Sequence, residues 1–388
     1  MRILFFCEDA VIDKAGGVQN VTTLWRNYFI KKGHHVFIVY KKNHSNLTLE
    51  IPQTKLPSES HNKSKDNIAF LKEYFEKNGI QVVINQSAQG PLASYICVEA
   101  CRLTKTPLIS VVHNSPDALI KRMLKGRIFS VVRPLKLAVE SILPFMIRNI
   151  PKYGSRRLVK YSTSVVVLSP EYIEEYKRLY VGGNSDKIIV LPNPINIDKH
   201  DVGKSKRENI ALFVGRLSEQ KGVDIILRIW KIVESRCSDA KLYIVGDGEL
   251  NADLRELSEN LKLERVYFEG YRDPKPYYER SKVFLMTSIY EGLPMTLLEC
   301  QKYGVVPIVI DSFTAARGLL GDSLNEFIIS QGDEERFCNK VVELFKDEDK
   351  YKEASSLCVR NIKRFSLDTI APEFENLINK VVKKDKKS

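Results

Sequence analysis

Residues 282–304 read KVFLMTSIYEGLPMTLLECQKYG, and their pattern changes halfway along. Positions 282–287 form a short apolar run bounded by polar residues, the composition of a strand buried on both faces of a parallel sheet. Gly292 and Pro294 punctuate a turn, and 295–303 has helical composition ended by Gly304. Strand, turn and helix in succession are the repeating unit of an α/β protein. The same stretch carries two carboxylates, Glu291 in the turn and Glu299 about mid-helix. On one continuous helix, eight positions would separate them by about 80° around the axis and roughly 12 Å along it. That is too far for the carboxylate pair of a retaining glycosidase, about 5–5.5 Å apart. Taken alone, two glutamates at this spacing are ordinary and read most simply as unrelated surface charges; as a site they fit two separate tasks, each carboxylate meeting a different part of a ligand, with helix-start amides between them available for phosphate.

The pattern repeats along the chain. Strand signals fall near 2–8, 35–41, 81–85, 107–113, 164–168 and 187–191, then near 209–215, 241–246, 265–269, 283–287 and 306–310. Helical segments alternate with them, which predicts two parallel sheets. A polar connection over about 197–208 separates the two sets. Helices are expected near 348–364 and 368–384, the latter with a stripe of Ile370, Phe374, Leu377, Ile378 and Val381 to bury.

A second cluster sharpens the ligand. The strand at 209–215 ends in Gly215 and is followed by Arg216-Leu-Ser-Glu-Gln-Lys221-Gly222, the turn into a helix over 223–237. Arg216 and Lys221 thus lie at the carboxyl end of a strand, where open α/β sheets bind ligands. A guanidinium fork and a mobile ammonium suit a diphosphate, the alternative being two solvated basic residues in a loop of a chain rich in them.

Together these residues resemble the retaining glycosyltransferase family 4, whose GT-B architecture has two Rossmann-like domains with parallel sheets facing a central cleft. The matching elements are Gly215-Arg216-Leu217 with Lys221-Gly222, Val245-Gly246-Asp247-Gly248, Phe268-Glu269-Gly270, and Ser288 with Glu291 and Glu299. Further matches are Gly16-Gly17 after the first strand, His113 at a strand end, and Leu191-Pro192-Asn193-Pro194. The resemblance implies an acceptor-binding domain over 1–196, completed by 366–388, and a sugar-nucleotide-binding domain over 197–365. The last helix would cross back to the first domain. It further implies that Arg216 and Lys221 bind the donor diphosphate and stabilise its leaving charge. Glu299 would hold the ribose and Glu291 hydroxyls of the donor sugar, while backbone near Gly292, Leu293, Met295 and Thr296 would reach the distal phosphate. Tyr271 would lie near the base, with Gly215 and Gly246 lining the donor site. Gly17 would approach the donor phosphate or the acceptor, beside Gly16. Many members have a second glycine where this chain has Pro294, which lacks an N–H. The implied activity is metal-independent transfer of a hexose or N-acetylhexosamine from a nucleotide-diphosphate sugar, UDP-linked by family frequency, to a glycan or polyprenyl-linked acceptor in surface-polysaccharide assembly.

Composition bounds the alternatives. The chain has 388 residues, enough for two cores, and 44% hydrophobic residues, ordinary for a globular protein. No apolar run reaches the length of a membrane span, and the first residues read as a buried strand rather than a signal peptide, so a cytoplasmic protein is expected. Seven cysteines without Cys-x-x-Cys spacing suggest free core thiols, including Cys97 and Cys101. The only Asp-x-Asp triplet, Asp347-Glu348-Asp349, falls at a charged helix end rather than after a strand, so no metal and no cofactor is expected and activity should survive EDTA. His113 either contacts an acceptor or is a satisfied structural histidine.

Charge is uneven: residues 121–160 hold eleven Lys or Arg against the single acid Glu140, within a chain of formal net charge +12. Apolar clusters interleave them, so an inserted basic amphipathic region, about 117–160, is expected to rest on an anionic membrane at the inner face of the plasma membrane. Helices packed on the domain with a solvated basic face are the plainer alternative. Nucleic acid is not expected as a partner, because few aromatic residues stand among the charges. A sugar-nucleotide epimerase of the same architecture and a non-catalytic basic membrane or nucleic-acid binder remain as other functions. The epimerase's acidic and histidine set is not evident, and the binder leaves both residue pairs unexplained.

Overall fold

The computed structural model describes residues 1–12, 16–43, 49–60, 64–88, 93–116, 155–178, 186–197 and 207–385. They form two compact units, Met1–Pro194 with Ile370–Ser388, and Ile195–Thr369.

The first unit is built on a seven-stranded sheet in the order β3-β2-β1-β4-β5-β6-β7. Its strands are β1 Arg2–Asp9, β2 His35–Lys42, β3 Thr54–Lys55, β4 Val82–Asn85, β5 Leu108–Val112, β6 Ser164–Val167 and β7 Ile188–Val190. Neighbours pair in parallel throughout. β4, β5 and β6 are buried along their whole length, as runs such as Val82-Val83-Ile84 demand when helices cover both faces.

The second unit repeats the plan with six strands in the order β10-β9-β8-β11-β12-β13. They are β8 Glu208–Val214, β9 Lys241–Val245, β10 Val266–Gly270, β11 Ser281–Met286, β12 Val306–Ile310 and β13 Ile328–Ile329. The fold is therefore two Rossmann-like parallel-sheet domains. In each sheet the strand order reverses once, between β1 and β4 and between β8 and β11, and that reversal opens a crevice outside the carboxyl ends of the strands. β3 and β13, two residues each, are too short for any periodicity and were not expected.

β11 is buried at all six positions although it contains Lys282. The lysine's stem lies in the core while its Nζ reaches Glu348 Oε2 at 2.9 Å and sits 5.3 Å from the Tyr351 ring centre. Asp347 caps the helix Glu348–Asn361 by accepting from the Lys350 amide at 3.0 Å, so the Asp-Glu-Asp triplet is a helix start.

The last helix, Leu367–Asp385, passes from the second unit into the first. Ile370, Phe374, Ile378 and Val381 are buried, and Leu377 is half-buried. Phe374 packs 4.7 Å from Trp25 and 5.7 Å from Phe29 between ring centres, and the Tyr28 hydroxyl meets Glu375 Oε2 at 3.1 Å. All seven cysteines are free and buried; burial pushes the Cys7 thiol up to about 12 and raises Cys97 well above its ordinary range. Of the expected basic insertion, 117–154 lies outside the described residues. Residues 155–161 are helical, with Leu158 and Val159 in the core and Arg157 paired with Glu99. No helix among the described residues is long and apolar enough to cross a membrane.

Candidate active site

The carboxyl ends of β8 and β11, the two strands at the second sheet's reversal, carry the residues singled out from sequence. After β8 the chain turns through Gly215 and Arg216 into a short 3-10 turn, Glu219–Lys221, and then through Gly222 into the helix Val223–Arg236. Gly222 has φ of 60°, and a Cβ there would stand 2.5 Å from the Thr287 carbonyl oxygen at the end of β11. Thr287 completes the junction by donating its hydroxyl to the Gly222 carbonyl at 2.7 Å. Gly246, at the end of β9, is tighter: its Cβ would fall 1.9 Å from the Gly215 carbonyl oxygen. Glycine at these two points lets three strand ends converge.

The two loops are joined by charge. Lys221 Nζ lies 2.6 Å from Glu291 Oε1, and Glu291 is only 6% exposed. Gln220 fastens them further: its side chain donates to the Tyr290 carbonyl at 2.9 Å, and its own carbonyl accepts from the Ile289 amide at 2.8 Å. The Ser312 hydroxyl holds the Ser288 carbonyl from β12's side. An ammonium has three donors, so Lys221 can keep Glu291 and still face an anion. Arg216 is exposed and has no carboxylate partner among the described residues.

Beyond the turn, Pro294 ends the loop with φ of −67° and ψ of 108°, and the helix Met295–Lys302 begins at the next residue. The missing proline N–H therefore precedes the helix, and the amides of Met295 and Thr296 are among the first-turn donors that no helix carbonyl can satisfy. No acidic residue occupies that first turn. Gly292 and Leu293 are buried. Glu299, one turn on, receives the Tyr278 hydroxyl on Oε2 at 3.2 Å. Burial raises its carboxyl above the ordinary range, against the lowering effects of the Tyr278 hydrogen bond and of Lys302. Tyr271, just past β10, is 71% exposed. Asp247 accepts from Asn251 and the Gly248 amide, which lower its carboxyl and shape the loop after β9.

Three sequence candidates belong to the first unit. Gly16 and Gly17 open the helix Gly17–Lys31 after β1. His113 follows β5 and is buried; its Nε2 lies 2.5 Å from Gln86 Oε1, while Nδ1 has no partner among the described residues. Loss of hydration on burial drops the imidazole to about 4. Gln86, Gln220, Tyr278 and Ser312 were not foreseen. Their partners lie between 21 and 70 residues away in sequence, and no local pattern encodes such pairs.

Strand-end cations, helix-start amides and two carboxylates thus gather at the reversal of a Rossmann-like sheet, the place where open α/β sheets bind ligands. A family model described as Glycosyltransferase Family 4 matches residues 15–199, and one described as Glycosyl transferases group 1 matches 195–357. The chain belongs to these GT-B glycosyltransferases. It is 27% identical over 285 residues to an uncharacterized glycosyltransferase of Methanocaldococcus jannaschii, a match covering 66% of this chain and 70% of that protein. It is 26% identical over 273 residues to the UDP-Gal:alpha-D-GlcNAc-diphosphoundecaprenol alpha-1,3-galactosyltransferase of Escherichia coli, covering 63% of this chain and 69% of that protein. In fold it is similar to the lipopolysaccharide outer core galactosyltransferase WaaB, with a TM-score of 0.70, 19% identity, and 98% and 99% of the two chains covered.

Proposed function

We propose that the chain transfers a hexose or N-acetylhexosamine, with retention of configuration, from a UDP-sugar to a glycan or polyprenyl-diphosphate-linked acceptor in surface-polysaccharide assembly. The observation that carries this is the Lys221–Glu291 pair, 2.6 Å long, joining the loops after β8 and β11 beside the exposed Arg216. The relative from Escherichia coli named for UDP-galactose and an undecaprenol-linked acceptor supports the donor and acceptor classes.

Chemically, the bond from the anomeric carbon to the diphosphate oxygen breaks and a bond from the acceptor hydroxyl forms on the same face. The hydroxyl's proton passes to a departing phosphate oxygen, and the nucleoside diphosphate leaves. Negative charge grows on the diphosphate during this step. Arg216, Lys221 and the amides of Met295 and Thr296 are the groups we assign to meet it, and fixed charges of this kind stabilise a transition state without reorganisation. Glu291 takes sugar hydroxyls and Glu299 the ribose, with Tyr271 against the base. Gly16, Gly17 and His113 we assign to the acceptor side, with Gly17 also within the donor's range.

A panel of sugar nucleotides scored by release of nucleoside diphosphate, with and without a lipid-linked acceptor, tests the assignment. Arg216→Ala and Lys221→Ala should each lower turnover by at least about a hundredfold, by analogy with loss of a single oxyanion donor. Wild-type transfer by both variants would sink it.

A further inference from the structure

We propose that Tyr278 is the positioning residue of the nucleotide site: its hydroxyl holds one oxygen of Glu299 so that the other is presented to ligand, and Arg207 locks the tyrosine in place. This deepens the preceding assignment and rests on Glu299 being a ribose ligand.

Tyr278 lies on the helix Lys275–Arg280 and is 1% exposed. A phenol sealed this well needs a partner for its hydroxyl, and the one it has is Glu299 Oε2 at 3.2 Å. Glu299 Oε1 carries no hydrogen bond among the described residues. The carboxylate is thus half satisfied from within the protein and half open. The ring cannot swing away. It stacks on Tyr303 with centres 5.4 Å apart and planes 6° from parallel. Arg207, at the foot of β8, donates to the carbonyls of Tyr278 and Tyr303 and, at 2.9 Å, to that of Ser281. One guanidinium therefore ties together the end of the helix bearing Tyr278, the start of β11 and the end of the helix bearing Glu299. Lys cannot reproduce that planar, three-carbonyl grip.

The charged and titratable groups around Glu299 define the pH behaviour. Tyr278 and Lys302 favour its ionised form, while burial and Asp273 oppose it. Lys302 is itself drawn over Tyr303, 5.5 Å from the ring centre. Removing the phenolic hydroxyl deletes one favourable group and leaves burial in force. Glu299 then holds its proton to higher pH, and a protonated carboxyl has lost acceptor capacity for ribose hydroxyls.

The test uses the full-length protein, Tyr278→Phe, Glu299→Gln and the double variant, with UDP, GDP and the 2′,3′-dideoxy form of whichever binds wild type. Tyr278→Phe should weaken the ribonucleotide about tenfold, the size expected for one hydrogen bond to a charged group. It should move the acid limb of binding to higher pH, leave the dideoxy analogue nearly unaffected, and add nothing in the Glu299→Gln background. Equal losses for both nucleotides, an unshifted acid limb, or full additivity would overturn the proposal. Wild-type binding by Glu299→Gln would remove the ribose assignment itself. Should Tyr278→Phe not fold, Glu299→Asp, which keeps the charge but withdraws it from the hydroxyl, must show the same acid-limb shift and selectivity.

Discussion

Two groups, the buried His113 and the half-buried Glu299, respond to pH in opposite senses. His113 is held neutral by burial, with its folded value near 4 against an ordinary 6.5. A depressed value contributes stability that is present above the unfolded pKa and lost as pH falls through the folded one. The window therefore runs from about pH 6.5 down to about pH 4, and the full effect is of order 3 kcal/mol. Denaturant midpoints measured across that range should fall less steeply for His113→Gln than for wild type. Glu299 is the reverse case. Its carboxyl is raised, so the ionised form costs stability once pH rises through the folded value. Glu299→Gln keeps an acceptor for Tyr278 and removes the charge. It should raise the melting temperature of the ligand-free protein at pH above the raised value of the Glu299 carboxyl while weakening nucleotide binding, the usual conflict between a site's stability and its use. A lower melting temperature there would refute the cost assigned to the Glu299 charge.

At the scale of elements, the sequence shows β11 and the helix after it plainly, because an apolar run gives way to a turn marked by glycine and proline. It also places Arg216 and Lys221 at the carboxyl end of a strand, Glu291 in the turn and Glu299 about mid-helix. Their mutual geometry is not legible there. Lys221 and Glu291 are 70 residues apart in sequence and meet only because β8 and β11 are neighbours at the reversal. The clamp from Arg207 is equally hidden, since it is aimed at backbone carbonyls, which leave no mark on residue type. The final helix is an intermediate case: its apolar stripe announces a buried face, but the aromatic rings that cover that face, Trp25 and Phe29, lie at the other end of the chain. Phe374→Ala should cost about 3–5 kcal/mol by opening this contact. Protease should then cut the last helix selectively before the rest of the first unit. Uniform cleavage would mean that the helix is held by something other than Phe374.

For the whole molecule the deciding quantity is where the charge sits. Residues 121–160 carry eleven cations and one acid, which leaves the remaining sequence close to balance within a net charge of +12. The described end of this segment, 155–161, is fixed to the first unit through Leu158, Val159 and the Arg157–Glu99 pair. We propose an anionic lipid surface as the partner of the rest. Each cation near such a surface contributes about 1 kcal/mol, so about five suffice for reversible attachment. The attraction is screened, because the Debye length shrinks from about 10 Å at 0.1 M salt to about 3 Å at 1 M. The protein should therefore sediment with vesicles containing phosphatidylglycerol at low salt, be released at high salt, and ignore vesicles of phosphatidylcholine alone. Replacing Lys121, Arg122, Lys125 and Arg127 by Glu should abolish sedimentation while leaving transfer to a water-soluble acceptor intact. Equal binding to both vesicle types would replace the electrostatic account with a hydrophobic one. Loss of transfer to the soluble acceptor in the charge-reversed variant would mean that these cations serve the reaction rather than the surface.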